Sequence, residues 1–226
     1  MIAANLQHIQ NELQALAPAG TPAARLIAVT KTKPVAMLRE AYDAGCRHFG
    51  ENRVQEMAEK APQLPADVVW HQIGHLQTNK VKYIAPFVGL IQSVDSFKLL
   101  QEINKQAARH HRVIDCLLQI FIAQEETKFG LSPDEAKALL TDPMLPTLAN
   151  VRIIGLMGIA TNTDDATQIR REFRGLKALY TQLSAIRMPN VAFSEVSMGM
   201  SSDYRIAVDE GSTMVRVGSA IFGSRS

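Results

Sequence analysis

No stretch of this chain approaches the roughly 18 consecutive apolar residues that a membrane-spanning helix needs, so a membrane location is not expected. Charge of one sign is not in excess either. The 24 lysines and arginines face 22 acidic residues, leaving +2 spread along the chain. No basic stripe tracks a phosphate backbone, and a nucleic-acid partner is not expected. Cysteine is nearly missing: Cys46 and Cys116 lie far apart, without metal-ligand spacing. Two free buried thiols in a reducing compartment fit this better than one disulfide. There is no low-complexity segment and no Pro/Gly/Ser linker, so residues 1–226 read as one domain. The N-terminus does not read as a signal peptide, and the expected location is the cytoplasm.

What is present is ordinary globular material, 46% hydrophobic and 20% charged, enough for a sizeable core. In "MIAANLQHIQNELQALAP", Ile2, Leu6, Ile9, Leu13 and Leu16 recur at steps of four and three, one face of an amphipathic helix. Short apolar runs then alternate with helical patterns. The runs are "LIAVTK", "HFGEN", "VVWHQIG", "GLIQSVD", "CLLQIFIA", "IIGLMGIA", "VAFSEVS" and "TMVRVG". Among the helical patterns, "SPDEAKALLTD" opens with Ser132 as N-cap and Glu135 three positions later, a capping box. Continuous rather than alternating apolar strands predict a parallel sheet covered on both faces. Eight βα units predict an α/β fold, a single (β/α)8 TIM-type barrel with an extra N-terminal helix. A doubly wound open sheet is the alternative, because strand order is not readable from sequence.

Function in such a barrel collects at the C-terminal ends of the strands. There the first run, Leu26 to Lys31, ends on a lysine, the second reaches Glu51 and Asn52, and the third carries His71 and leads to His75. In "TMVRVG", Val215 and Val217 share one face while Met214 and Arg216 share the other. A buried arginine needs an acceptor, since it keeps its proton; Glu51 or Glu195 would supply one as an ion pair. Gly218 and Ser219 follow the last strand, and "SMGMSS" offers Ser197, Gly199 and Ser201 after the seventh. Loops after strands seven and eight are the frequent phosphate site of these barrels, and together these two favour a phosphate-bearing ligand. A lysine, a phosphate cradle and an arginine between them point to pyridoxal phosphate: lysine for the aldehyde, donors for the phosphate, Arg216 for the ring nitrogen. Lys33 rivals Lys31 for the aldehyde, but Pro34 marks the strand as already ending there. "HQIGH" reads as strand and turn, so no metal is expected.

The stretches "AVTKTKP", "HFGENRVQE", "WHQIGHLQTNK", "SEVSMGMSSD" and "GSTMVRVGSAIFG" strongly resemble the pyridoxal phosphate homeostasis proteins, barrels related to the N-terminal domain of alanine racemase. The resemblance implies that Lys31 holds the cofactor as an internal aldimine and that Arg216 faces the pyridine nitrogen. Ser197 or Ser201, with Gly218 and Ser219, would hold the phosphate, and Asn52 would border the ring. It also implies buffering and delivery of the cofactor, with PLP-dependent enzymes as possible clients and no established catalytic activity. The chain departs from the family pattern at Arg53 and Phe121 and in the missing prolines after strand six; Lys128, in "ETKFG", reads as a surface lysine, with a second lysine open to the aldehyde as the alternative. Two other readings stand beside this one. An amino-acid racemase would need a second acid/base, for which Tyr204 is the tyrosine to test. A sugar-phosphate isomerase would use the same cradle with a carboxylate or cysteine acid/base pair near the mouth, for which Glu51 and Asp95 are offered, and Lys31 as an electrostatic helper.

Overall fold

The computed structural model describes residues 1–124 and 129–223. Eight parallel strands close into a barrel in chain order, with β1 (Arg25–Val29) hydrogen-bonded to both β2 (His48–Glu51) and β8 (Met214–Val217). Between these lie β3 (Val69–Gln72), β4 (Leu90–Val94), β5 (Ile114–Ile120), β6 (Val151–Gly158) and β7 (Val191–Ser197). The open-sheet alternative is excluded by the β1–β8 pairing, which leaves no edge.

Helices fill the outer ring: α1 (Ile2–Leu16), α2 (Val35–Asp43), α3 (Val54–Lys60), α4 (Val81–Ile84), α5 (Phe97–Arg109), α6 (Pro133–Leu140), α7 (Ala166–Leu183), α8 (Tyr204–Asp209) and α9 (Ser219–Phe222). The N-terminal helix buries Ile2, Leu6, Ile9 and Leu13, four of the five residues on its apolar stripe. Asn5 Nδ2 on it donates to the Ile221 carbonyl at 2.9 Å, and the Tyr204 hydroxyl donates to Glu12, so α1 lies against α8 and α9.

Strand parity divides the interior in two. Outward positions such as Ala28, Phe49, Trp70 and Val215 join the helices in one large apolar core. Inward positions form a smaller cluster of Ile27, Leu90, Leu117, Met157 and Met214, above and below which the barrel interior is polar. Gly155 marks a register irregularity between β6 and its neighbours: its φ is +154°, and a Cβ there would lie 1.7 Å from the Glu195 carbonyl oxygen. Only glycine lets the two backbones approach so closely.

The capping box forms as expected. Ser132 Oγ accepts from the Glu135 N–H at 3.2 Å, and Glu135 Oε2 accepts from the Ser132 N–H at 2.8 Å. Ser132→Ala is expected to lower unfolding free energy by about 1 kcal/mol, read as a shift in urea midpoint without a change in slope.

β1 is shorter than the apolar run suggested. It stops at Val29, and Lys31 sits in the turn beyond. The cause is at Thr30, whose carbonyl leaves the ladder to accept from the Lys33 N–H at 3.0 Å and from Lys60 Nζ at 2.8 Å. Thr32 then takes φ +66°, a costly left-handed conformation for a β-branched residue.

Candidate functional site

A cavity of about 380 Å³ opens at the C-terminal end of the barrel, within the size range of small-molecule sites. Its wall brings together Lys31, Asn52, Ser201, Arg216, Gly218 and Ser219, from four separate loops and strands. Thr32, Lys33, Ser202 and Met200 border it, with Val29, Ile73 and Ile159 as apolar walls. The described lining residues carry three cations and no carboxylate. Such a cavity favours an anion.

Each group is placed by something local. Asn52 is fixed through its backbone: its carbonyl accepts from Gln72 Nε2 at 3.0 Å, and Gly74 packs so close that a Cβ would lie 2.5 Å from that oxygen. The loop after β7 is tied to β8 by the Arg216 N–H, which donates to the Gly199 carbonyl at 2.9 Å. Ser201 Oγ then accepts from the Gly218 N–H at 3.2 Å and the Ala220 N–H at 3.5 Å. Two backbone donors converge on one oxygen, the arrangement that binds anionic oxygens.

Arg216 is buried and lines the cavity floor. Neither carboxylate offered by the sequence pairs with it. Glu51 bonds Lys60 at 2.7 Å, and Glu195 bonds Arg25 at 3.2 Å. Instead Nη1 donates to Ser197 Oγ at 2.6 Å and Nη2 to the Gly158 carbonyl at 2.9 Å. Burial pulls its pKa down to about 10, so the group remains a cation at neutral pH. Ser197 therefore lies beneath Arg216 rather than on the cavity wall, because its position on β7 points it into the barrel interior. Of the two serines considered for an anion, Ser201 is the one at the surface of the cavity.

Lys33 spends its ammonium on the carbonyls of Gly223 at 3.1 Å and Phe222 at 3.4 Å, pinning α9 to the mouth. Lys128 lies outside the described residues. His75 is in a separate cleft, 3.2 Å from Asp95 and stacked on Phe129, and His71 is buried in the barrel. Tyr204 is buried against Glu12 on α1, away from the cavity, and its hydroxyl is pushed up to about 12, first by burial. Both cysteines are free and buried; burial raises Cys46 to about 11 and Cys116 higher still.

One element escaped the sequence. Behind Lys31, Lys60 Nζ is buried and bonds Glu51 Oε1 at 2.7 Å, Glu56 Oε1 at 2.6 Å and the Thr30 carbonyl at 2.8 Å. Glu51 also accepts from Thr30 Oγ1 at 2.6 Å, and Glu56 from the Thr32 N–H at 2.6 Å. The backbone on both sides of Lys31 is thus clamped by one ionic cluster. The Glu56–Lys60 spacing was visible as an ordinary surface helix pair; its burial was not.

Burial also lowers His48 to about 4 and holds His71 well below its ordinary value. The unfolded chain binds a proton at His48 near 6.5, the native chain only near 4, so stability is lost as pH falls through that window. His48→Gln is expected to show a shallower decline in urea midpoint from pH 7 to pH 5 than the wild type. Parallel declines would contradict this assignment.

Known proteins share this fold. The chain matches the family described as alanine racemase, N-terminal domain, over residues 4–226. It is 42% identical over 207 residues to the pyridoxal phosphate homeostasis protein of Aquifex aeolicus, covering 91% of this chain and 89% of that one. The structure of PipY from Synechococcus elongatus with PLP bound superposes with a TM-score of 0.87 at 38% identity, covering 99% of this chain and all of that one. Alanine racemase from Bartonella henselae shares the fold, with a TM-score of 0.71 at 19% identity over 99% of this chain but 58% of the racemase. With both the barrel and these whole-chain matches in hand, the chain belongs to the alanine racemase N-terminal domain family, among its pyridoxal phosphate homeostasis proteins.

Proposed function

We propose that this protein binds pyridoxal phosphate through Lys31 and acts in its homeostasis, holding the cofactor and giving it up to the enzymes that use it. One observation carries the reading: Lys31, Arg216 and the Ser201–Gly218–Ser219 cradle share one cavity that has no carboxylate among its described lining residues. Lys31 would hold the aldehyde. Arg216, a donor that keeps its proton, would face the ring nitrogen, which then stays unprotonated. Ser201, Gly218 and Ser219 would take the phosphate, and Asn52 would border the ring. When bound, pyridoxal phosphate supplies an electrophilic carbon and an electron-withdrawing ring. That withdrawal is weak when the ring nitrogen is neutral, which suits storage more than turnover. PipY and the Aquifex relative, with PLP bound in the one and homeostasis in the name of the other, support the same assignment.

The other two readings lose their residues. Racemisation needs an acid/base on each face of the substrate carbon, and Tyr204 is committed to Glu12 away from the cavity. The isomerase needs a carboxylate or cysteine pair at the mouth, while Glu51 is held behind Lys31 by Lys60, Asp95 sits with His75 in another cleft, and both cysteines are buried outside the cavity lining. The test is to incubate the protein with pyridoxal phosphate or with pyridoxal, desalt, and record the visible spectrum. Retained absorbance with pyridoxal phosphate, and much less with pyridoxal, is expected. No retention of either overturns the proposal.

A further inference from the structure

A chain of polar side chains crosses the barrel interior from Arg216 to the opposite face, and its hydrogen bonds have one possible direction. An arginine can only donate. Arg216 Nη1 donates to Ser197 Oγ at 2.6 Å, and Ser197 Oγ in turn donates to Gln92 Oε1 at 2.6 Å. The chain passes here from β7 across to β4. With its oxygen taken, Gln92 faces His71 Nδ1 with Nε2 at 3.0 Å, and its other contact is Met214 Sδ at 4.0 Å. An amide nitrogen does not accept, so His71 Nδ1 is bare and the ring carries its proton on Nε2. That nitrogen lies 3.0 Å from His48 Nδ1. His48 must therefore accept there and hold its own proton on Nε2. It ends the chain half-buried, on the wall of a cleft at the N-terminal face with Arg25, Cys46 and Arg47.

We propose that Gln92, His71 and His48 are positioning residues for Arg216, a one-way donor chain through the barrel that fixes where its guanidinium points. The cavity end of this chain rests on the reading of Arg216 as the ring-nitrogen partner. Gln92 and Ser197 are wholly buried, and His71 and Arg216 nearly so. Positions like these in a barrel interior are ordinarily filled by branched apolar residues. Here an apolar residue at Gln92 would leave the Ser197 hydroxyl without its acceptor and His71 Nδ1 without its donor. Ser197 would then be free to turn, and Arg216 would lose the fixed acceptor that, with the Gly158 carbonyl, sets the plane of its guanidinium. Both imidazoles are kept neutral by burial, so each ring has one proton to place and the tautomers follow from the chain.

The test needs no cofactor to begin. Histidine 15N NMR of the cofactor-free protein at pH 7 is expected to show His71 and His48 both as the Nε2–H tautomer. In Gln92→Glu an ionised carboxylate can only accept, so at a pH where that carboxyl is ionised His71 is expected to gain a proton on Nδ1. A wild-type His71 protonated on Nδ1, or a tautomer unmoved by Gln92→Glu with its carboxyl ionised, would overturn the proposal. A second measurement uses Gln92→Leu. Loss of one fixed hydrogen bond to the guanidinium should weaken pyridoxal phosphate binding by about tenfold and shift its bound spectrum. Affinity for inorganic phosphate at the Ser201 cradle should be unchanged. Wild-type spectrum and affinity in a folded Gln92→Leu would also overturn it. If the wild type itself retains no pyridoxal phosphate, the proposed function fails, and the tautomers still decide the chain.

Discussion

Replacing Lys60 by methionine is expected to destabilise the protein by about 3–5 kcal/mol, a fall of roughly 10 °C in Tm. Lys60 is the only ammonium bonded to Glu51 among the described residues, and Glu51 is fully buried with its second oxygen, Oε2, already unpaired. Removing the cation leaves a carboxylate in the interior and takes one hydrogen bond each from the Thr30 carbonyl and Glu56. Burial already pushes the Glu51 carboxyl up despite Lys60, and the variant should push it further. A carboxyl whose folded pKa exceeds its unfolded one binds more protons in the native state. Stability then rises as pH falls through the folded value toward the unfolded one. The deficit of Lys60→Met should therefore be smaller at pH 5 than at pH 7.5. Adding Glu51→Gln should recover part of it by removing the stranded charge. Denaturant melts of the three proteins at the two pH values decide the matter. A deficit under 1 kcal/mol would mean that the cluster behaves as an exposed pair.

The second large effect concerns Lys31. Lys31→Ala is expected to reduce pyridoxal phosphate retained after desalting by at least about a hundredfold, the loss of a covalent anchor being worth more than one hydrogen bond. Lys31 is partly exposed in a turn whose bonds include those of Thr30, Thr32, Lys33 and Lys60. Retained cofactor with an unchanged spectrum would move the anchor to another lysine.

The barrel was legible because most of its strands lie in short apolar runs; β7, which alternates half-buried and exposed residues over its first half, is the exception. All eight appear where those runs lie. The capping box at Ser132 was equally plain, since it depends on residues three positions apart. What escaped depends on contacts between distant segments. The early end of β1 follows from Lys60, 30 residues from the Thr30 carbonyl it binds. A lysine four residues after a glutamate on a helix reads as a solvated pair, and nothing local reports that both are buried. Ser197 and Ser201 look alike in "SMGMSS" until strand parity places the first beneath Arg216 and the turn after β7 brings the second against Gly218. Gln92 in "LIQSV" was only a polar residue in a strand. Its partners come from β3 and β7, and Ser197 is 105 residues away.

The central claim is that Lys31, rather than any other lysine, anchors the cofactor. Borohydride reduction of the native protein saturated with pyridoxal phosphate, followed by digestion and tandem mass spectrometry, tests it most directly. The account predicts one reduced adduct, on Lys31. An adduct on Lys33 or Lys128 in its place, or no adduct from a protein that still binds the cofactor, would contradict it.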